Sequence, residues 1–496
     1  MMEVDGETPP AGSVQWGPVL AIAAVVAAGH ALIATRYGWH RDEFYYVASG
    51  RHPAWGYPDQ PPLTPVIARL AAALPGGVAP LRAVAIGLQA ATVVLGGVTA
   101  HELGGSRRAQ SLAAGAVAGC GVFVGASLFL GTTPVDQFLW AVIVLCTLRA
   151  VRTGALRWWV AAGVASGVGL ENKHTVAVLL VAMAVGLVLR RRHALRGAGP
   201  WIAAVIAAAL WAPNLFWDAQ HHWVTIEMAG VIADDQGGVG GALAQLPVLL
   251  FLLPAPPLVF LWIRGARFGA RQRFGSDHSW LVVAAGVVVV VIVAGGGKPY
   301  YPAPLLLPLF ALGAVATERR EAERGSQMRW TTGLVVAAVV VSPVVSLPVL
   351  GPRFSTWLRP AAREPMETYG WPRLAAQVDA VIARNPGVVA VYAGNYGEAG
   401  ALDRFGRRAG RTVPVVAGQN AYGEWGPPAG TPTEVIAVGQ FDRSFLETSW
   451  SHVERVGRVE FPDGIENDES ENAAIFRCSG PKGTWAELWS NLSYLS

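Results

Sequence analysis

The sequence predicts an α-helical polytopic membrane protein of about eleven spans, followed by a C-terminal extracytoplasmic α/β domain. Composition comes first: the 496-residue chain is 52% hydrophobic and 15% charged, against about 25% charged in an average soluble domain. Apolar segments long enough to cross a hydrocarbon core of about 30 Å recur from residue 16 to residue 350 and then stop. Arginine clusters occupy alternate connections between these segments, the pattern of loops retained on the cytoplasmic side.

In order, the segments are 16–35, 81–103, 111–130, 135–151, 157–170, 175–190, 200–217, 242–263, 280–295, 301–317 and 330–350. The basic connections carry Arg107 and Arg108; Arg149, Arg152 and Arg157; Arg190, Arg191, Arg192 and Arg196; Arg264, Arg267, Arg271 and Arg273; and Arg319, Arg320, Arg324 and Arg329. An odd number of spans with these loops inside places the N-terminus in the cytoplasm and everything after 351 outside. Residues 1–15 have neither a basic n-region nor a cleavage site behind a short apolar core, and read as a retained cytoplasmic tail. The expected organisation is that tail, a membrane domain over 16–351 with a first outer loop at 36–80, and the extracytoplasmic domain over 352–496, in the cell membrane.

Residues 43–50 and 61–74 read as interfacial pieces of the first outer loop. Beyond 351 the pattern changes. A helical stretch at 371–384 leads through Asn385-Pro386-Gly387 to a strand at 388–393 and a helix near 397–408. Further strands are predicted at 412–417, 434–439 and 473–478. The cysteines Cys120, Cys146 and Cys478 form neither a disulfide framework nor a metal motif. A net charge of +4, with no basic cluster interleaved with aromatics, sets nucleic acid aside.

The chemistry concentrates on the outer side. Arg36 to Leu63 holds Asp42, Glu43 and Asp59 with His40, Arg41, Arg51 and His52, interleaved with Tyr37, Trp39, Phe44, Tyr45, Tyr46 and Trp55. Ionisable residues at a membrane border mark a functional stretch. Asp42 is read as a general base for a hydroxyl, a metal ligand or a helix cap. Asp59 sits in a rigid Pro-flanked segment and is read as a site acid or a turn residue. Asp136, in Thr-Thr-Pro-x-Asp, serves a site or a helix start. Lys173, in Glu171-Asn172-Lys173-His174, and Lys298, between a triple glycine and Pro-Tyr-Tyr-Pro, hold a phosphate as point charges or pair with nearby acids. His221-His222 and Asp234-Asp235 lack metal-ligand spacing, and no phosphate loop, dinucleotide fingerprint or nucleophile elbow is present.

RDEFYY at 41–46, GYPDQPPL at 56–63, Thr133-x-x-Asp136, ENKHT at 171–175 and GKPYYPAPLL at 297–306 together resemble the GT-C superfamily of glycosyltransferases. The group resembled is that of the dolichyl-phosphate-mannose–protein mannosyltransferases, with the aminoarabinose transferase of lipid A as a relative. The likeness spans about residues 16–310, and AGNYGEAGAL at 393–402 and AGQNAYGEWGPP at 417–428 extend it into the tail. The resemblance implies transfer of a sugar, mannose by analogy, from a polyprenyl-phosphate donor to an acceptor hydroxyl on a protein, glycan, lipid or small molecule, with inversion. It implies Asp42 as base, Asp136 and Asp59 as further acids, and Lys173, Lys298, Tyr300, Tyr301 and Arg41 near the donor phosphate. Gln60 departs from the aminoarabinose group, where a lysine often follows the loop-closing acid. No cofactor and no metal are predicted. The second reading is a transporter or flippase of a lipid-linked or small polar compound, which calls for ionisable groups at mid-helix that these segments lack.

Overall fold

The computed structural model describes residues 12–272, 278–358, 363–461, 465 and 467–496. Most of the expected N-terminal tail and Arg273 lie outside the described residues. The chain forms two compact units. The first comprises Met1–Ala34, Gln60–Thr64 and Arg82–Leu347, and the second Thr35–Asp59, Pro65–Leu81 and Pro348–Ser496.

The first unit is helical. Helices Trp16–Ala31, Thr132–Thr153, Leu156–Leu170, Thr175–Arg191, Gly199–Gln220, Trp280–Ala294 and Arg329–Ser346 follow the apolar segments closely. Three expected spans differ, the one at 301–317 becoming a 3-10 turn at Ala303–Leu305 and a helix at Leu306–Arg324. The segment at 111–130 is broken into Arg107–Gly119 and Gly121–Ala126, with Cys120 extended between them. The freed Gly119 carbonyl accepts the Ser342 hydroxyl at 2.7 Å. The segment at 242–263 becomes Gly238–Leu252 and Pro256–Ala270, bent by 76°. Pro254, Pro256 and Pro257 remove the amides a straight helix needs there. Among the described residues, four helices are long and apolar enough to cross a membrane, or five with the bent pair, and Trp16–Ala31 and Trp280–Ala294 are shorter apolar helices.

Small residues set the packing. A Cβ on Gly163 would lie 2.6 Å from the Ala203 carbonyl, and one on Gly167 2.5 Å from Leu210 Cβ. Leu156–Leu170 therefore meets Gly199–Gln220 almost backbone to backbone, as spaced small residues permit where water supplies no driving force. Trp140, Trp280 and Phe310 are fully buried in the resulting core.

The second unit is built on a five-stranded sheet. Its strands are β1 (Ala390–Ala393), β2 (Val415–Ala417), β3 (Glu434–Gly439), β4 (Trp450–Arg458) and β5 (Ala474–Pro481). The order is β2-β1-β3-β5-β4. β1 pairs in parallel with β2 and β3, whereas β5 is antiparallel to both β3 and β4. Alternation in β1 shows that both faces are covered. Val391 and Ala393 join Leu374, Val378 and Leu402 on one side. Ala390 and Tyr392 join Leu446, Trp485 and Leu492 on the other. Helix Trp371–Arg384 coincides with the expected stretch and buries Trp371, Leu374, Ala375, Val378 and Val381, a 3.6-residue stripe. The α/β expectation holds, with half of the pairings antiparallel.

Candidate active site

Within the first unit, the tetrad at 171–174 forms the bend between Leu156–Leu170 and Thr175–Arg191. Asn172 fastens it. Its Nδ2 donates to the Thr132 carbonyl at 2.9 Å, and its Oδ1 accepts the Thr64 hydroxyl at 2.6 Å. The Leu63 amide donates to the Glu171 carbonyl at 2.9 Å, and His174 Nε2 lies 2.9 Å from Asn214 Oδ1. With the bend held at several points, the Lys173 ammonium sits 4.4 Å from the Tyr301 ring centroid and 5.2 Å from that of Tyr300. A desolvated cation over aromatic faces is favoured by the ring quadrupole. Burial pushes the Lys173 ammonium down to about 8, opposed by the negative charge of Asp136 and reinforced by Lys298.

Asp136 is buried on Thr132–Thr153 and makes no helix cap. Trp140, one turn on, donates its indole N–H to Asp136 Oδ1 at 2.9 Å, and the Thr175 hydroxyl reaches Oδ2 at 3.3 Å. Three separate stretches of the sequence thus bring Asp136, Lys173 and the Tyr300–Tyr301 pair together, with Lys298 close enough to act on Lys173. An ammonium and phenols around a carboxylate can bind an anionic group, with the carboxylate keeping the lysine in place.

Within the second unit, helix Arg41–Arg51 begins with a capping box. His40 Nδ1 accepts the Asp42 amide at 3.2 Å, and Glu43 Oε2 accepts the His40 amide at 2.9 Å. Glu43 is thereby structural, and the Asp42 carboxylate takes no part in the capping box. Helix Tyr396–Arg408 packs on this helix through glycines. A Cβ on Gly397 would lie 2.6 Å from Arg41 Cβ, and one on Gly400 would collide with Phe44. That close approach brings the Tyr396 phenol to Asp42, where it donates to Oδ1 at 3.0 Å. Tyr45 stacks on Tyr396 with centroids 4.4 Å apart and donates to Asp59 Oδ1 at 2.5 Å. Burial pushes the Asp59 carboxyl up to about 6 against that hydrogen bond, with Asp42 and Glu424 adding to the rise. Arg41 Nη1 reaches Glu469 Oε1 at 3.1 Å, and its Nε lies 3.6 Å from Asp42 Oδ1. The arginine expected at a phosphate is thus engaged by two carboxylates.

Of the residues singled out from sequence, the first unit gathers Asp136, Lys173, Lys298, Tyr300 and Tyr301, and the second gathers Arg41, Asp42 and Asp59. Sequence reasoning passed over Trp140, and placed Asn172 and Thr175 in the 171–175 motif without giving either a role. Trp140 was readable, because four residues from Asp136 is the same helix face. Tyr396 lies in the AGNYGEAGAL motif and reads as facing an acceptor or capping a turn, but nothing local pairs it with Asp42. His221 Nδ1 lies 2.7 Å from its own helix's Trp217 carbonyl oxygen. Among the described residues, no group of three or more His, Cys, Asp or Glu is placed to hold a metal.

The family model described as Dolichyl-phosphate-mannose-protein mannosyltransferase matches residues 59–217, a stretch that includes Asp59, Asp136 and Lys173. No curated protein matches the chain. Among solved structures, ArnT from Cupriavidus metallidurans bound to undecaprenyl phosphate is similar with a TM-score of 0.56 at 16% identity, over 94% of this chain and 98% of that one. Its apo state gives 0.54 at 16% identity, over 92% and 97%. A looser likeness, at 0.48 and 10% identity over 87% and 69%, is to the oligosaccharyltransferase AglB from Archaeoglobus fulgidus in complex with an inhibitory peptide and a dolichol-phosphate. The resemblance expected from the motifs is borne out by this family match and by the ArnT fold.

Proposed function

We propose that this chain, of GT-C superfamily glycosyltransferase fold, transfers a sugar from a polyprenyl-phosphate donor to an acceptor hydroxyl on the outer face of a cell membrane, with inversion at the anomeric carbon. The observation that carries the reading is the gathering of Lys173, Tyr300 and Tyr301 beside Asp136 in a unit of apolar helices. A lipid-borne phosphate requires such a cationic cluster at the membrane, and ArnT, whose fold this chain shares, is bound to undecaprenyl phosphate.

Lys173 and Lys298 take the donor phosphate, with the Tyr300 and Tyr301 phenols as hydrogen-bond donors, and stabilise the charge that accumulates as the lipid phosphate departs. Asp136 orients Lys173. Asp42 is the general base toward the acceptor hydroxyl, and Asp59 supports it. Mannose is the sugar proposed, by the family match. The membrane arrangement proposed is about eleven crossings, N-terminus cytoplasmic and C-terminal domain outside.

The test is turnover. Purified chain in nanodiscs is given undecaprenyl-phosphate mannose, the corresponding glucose and aminopentose donors, and an envelope extract. Release of undecaprenyl phosphate coupled to sugar incorporation supports the reading. Movement of intact donor between leaflets without cleavage identifies a flippase instead.

A further inference from the structure

We propose that Tyr396, contributed by the C-terminal α/β part of the chain, is a positioning residue for the transfer step: its phenol holds Asp42 through Oδ1 and leaves Oδ2 to take the acceptor's proton. The inference rests on the reading of Asp42 as the base and gives the C-terminal region a direct part in the chemistry.

The geometry is specific. Tyr396 is the first residue of its helix, and Asn395 caps that helix by accepting the Glu398 amide at 2.9 Å. Asn395 Nδ2 also donates to Glu469 Oε2 at 2.5 Å, and Glu469 in turn holds Arg41 at 3.1 Å. The Tyr396 amide donates to Gln419 Oε1 at 3.0 Å. The phenol is therefore fixed by backbone, cap and ring stack before it meets Asp42. Burial, then the neighbouring charge of Asp42, pushes the phenol well above its ordinary range, so it stays a donor at any working pH. Among the described residues Asp42 Oδ2 accepts no hydrogen bond, and His40 Nδ1, 3.9 Å away, already accepts the Asp42 amide. The Asp42 side chain retains 24% exposure, enough for a hydroxyl to reach it.

In the step this serves, the acceptor O–H proton passes to Asp42 Oδ2 as the acceptor oxygen bonds to the anomeric carbon. The bond from that carbon to the phosphate oxygen breaks with its electron pair, and polyprenyl phosphate leaves. A hydrogen bond donated to a carboxylate lowers its basicity while fixing its direction. The groups facing Asp42 are His40 and Arg41 from its own segment and Tyr396 from the facing helix, with Glu469 behind Arg41 and Asp59 acting at longer range.

The experiment replaces Tyr396 by Phe, which keeps the stack on Tyr45, and separately introduces a fluorinated tyrosine at 396, a stronger donor. Turnover of undecaprenyl-phosphate mannose is followed for both variants and for Asp42→Asn at matched thermal midpoints. Tyr396→Phe is expected to lower kcat about tenfold to a hundredfold, with the donor KM within about twofold. Fluorotyrosine, which keeps the donor, restores kcat to within about threefold of the wild type. A wild-type kcat in Tyr396→Phe, or a fluorotyrosine chain as slow as Tyr396→Phe, overturns the inference while an inactive Asp42→Asn keeps the base assignment. An active Asp42→Asn overturns the base assignment itself.

Discussion

The Tyr45 phenol donates to Asp59 Oδ1 at 2.5 Å, joining the helix that carries Asp42 to the loop that closes fourteen residues later. The bond spans the charged stretch that the sequence marks out, and it makes the two acids neighbours through a stacked pair of tyrosines rather than through direct contact. Replacing Tyr45 by Phe removes the donor and leaves a partly buried carboxyl short of a partner. The expected cost is about 1–3 kcal/mol of stability, read as a lower thermal midpoint in detergent at pH 7, with far-UV circular dichroism unchanged.

Asp59 also sets a pH window. Its folded carboxyl is raised to about 6 from an ordinary 3.8, so the folded state binds a proton that the unfolded chain releases sooner. The stability this supplies is fully present below the ordinary value and is lost as pH rises through about 6. Thermal midpoints measured between these limits are expected to fall with rising pH, and Asp59→Asn flattens that slope.

Lys173 gives the opposite limb. Its ammonium is pushed down to about 8, so its charge is lost as pH rises through that value. Donor affinity is expected to weaken above it. Lys173→Gln raises the donor KM about tenfold or more at pH 7 and removes the alkaline dependence. Lys173→Arg retains charge at high pH while misfitting the aromatic cradle, and is expected to fall between the two. Initial rates against donor concentration across pH 6.5–9.5 check this, at roughly half-unit steps.

Helix packing in the first unit depends on the small residues of Leu156–Leu170. Gly163→Leu drives a side chain into the Ala203 backbone, and overpacking of this kind costs about 1–3 kcal/mol or more. A lower thermal midpoint is expected for Gly163→Leu, whereas Val164→Leu on the exposed face of the same helix leaves it unchanged.

Much of this architecture was legible in the residues. Helix Trp371–Arg384 and β3 match their expected ranges because amphipathic and alternating patterns are local properties. The amphipathic piece at 61–74 forms helix Leu63–Ala72, with Val66 and Leu70 exposed one turn apart. β4 was missed because its burial does not alternate: only Trp450 and Val453 are buried among nine residues. The break at Cys120 follows from a long-range partner, since Ser342 takes the Gly119 carbonyl from 223 residues away. Tyr396 stands in a motif the sequence shows, but its bond to Asp42 was not readable, because the two lie 354 residues apart. Charge, aromatic content and loop parity pointed to the site's acids and lysines, but not to the groups that aim them, because aim is set by tertiary packing.

The proposed transfer from a polyprenyl-phosphate sugar turns on Asp42 as the base. The most direct measurement is single-turnover release of undecaprenyl phosphate from its mannosyl derivative by wild-type chain and by Asp42→Asn, at matched thermal midpoints. A loss of about 10²–10⁴-fold in rate with donor binding retained is the predicted result. A rate for Asp42→Asn near that of the wild type would rule out Asp42 as the base.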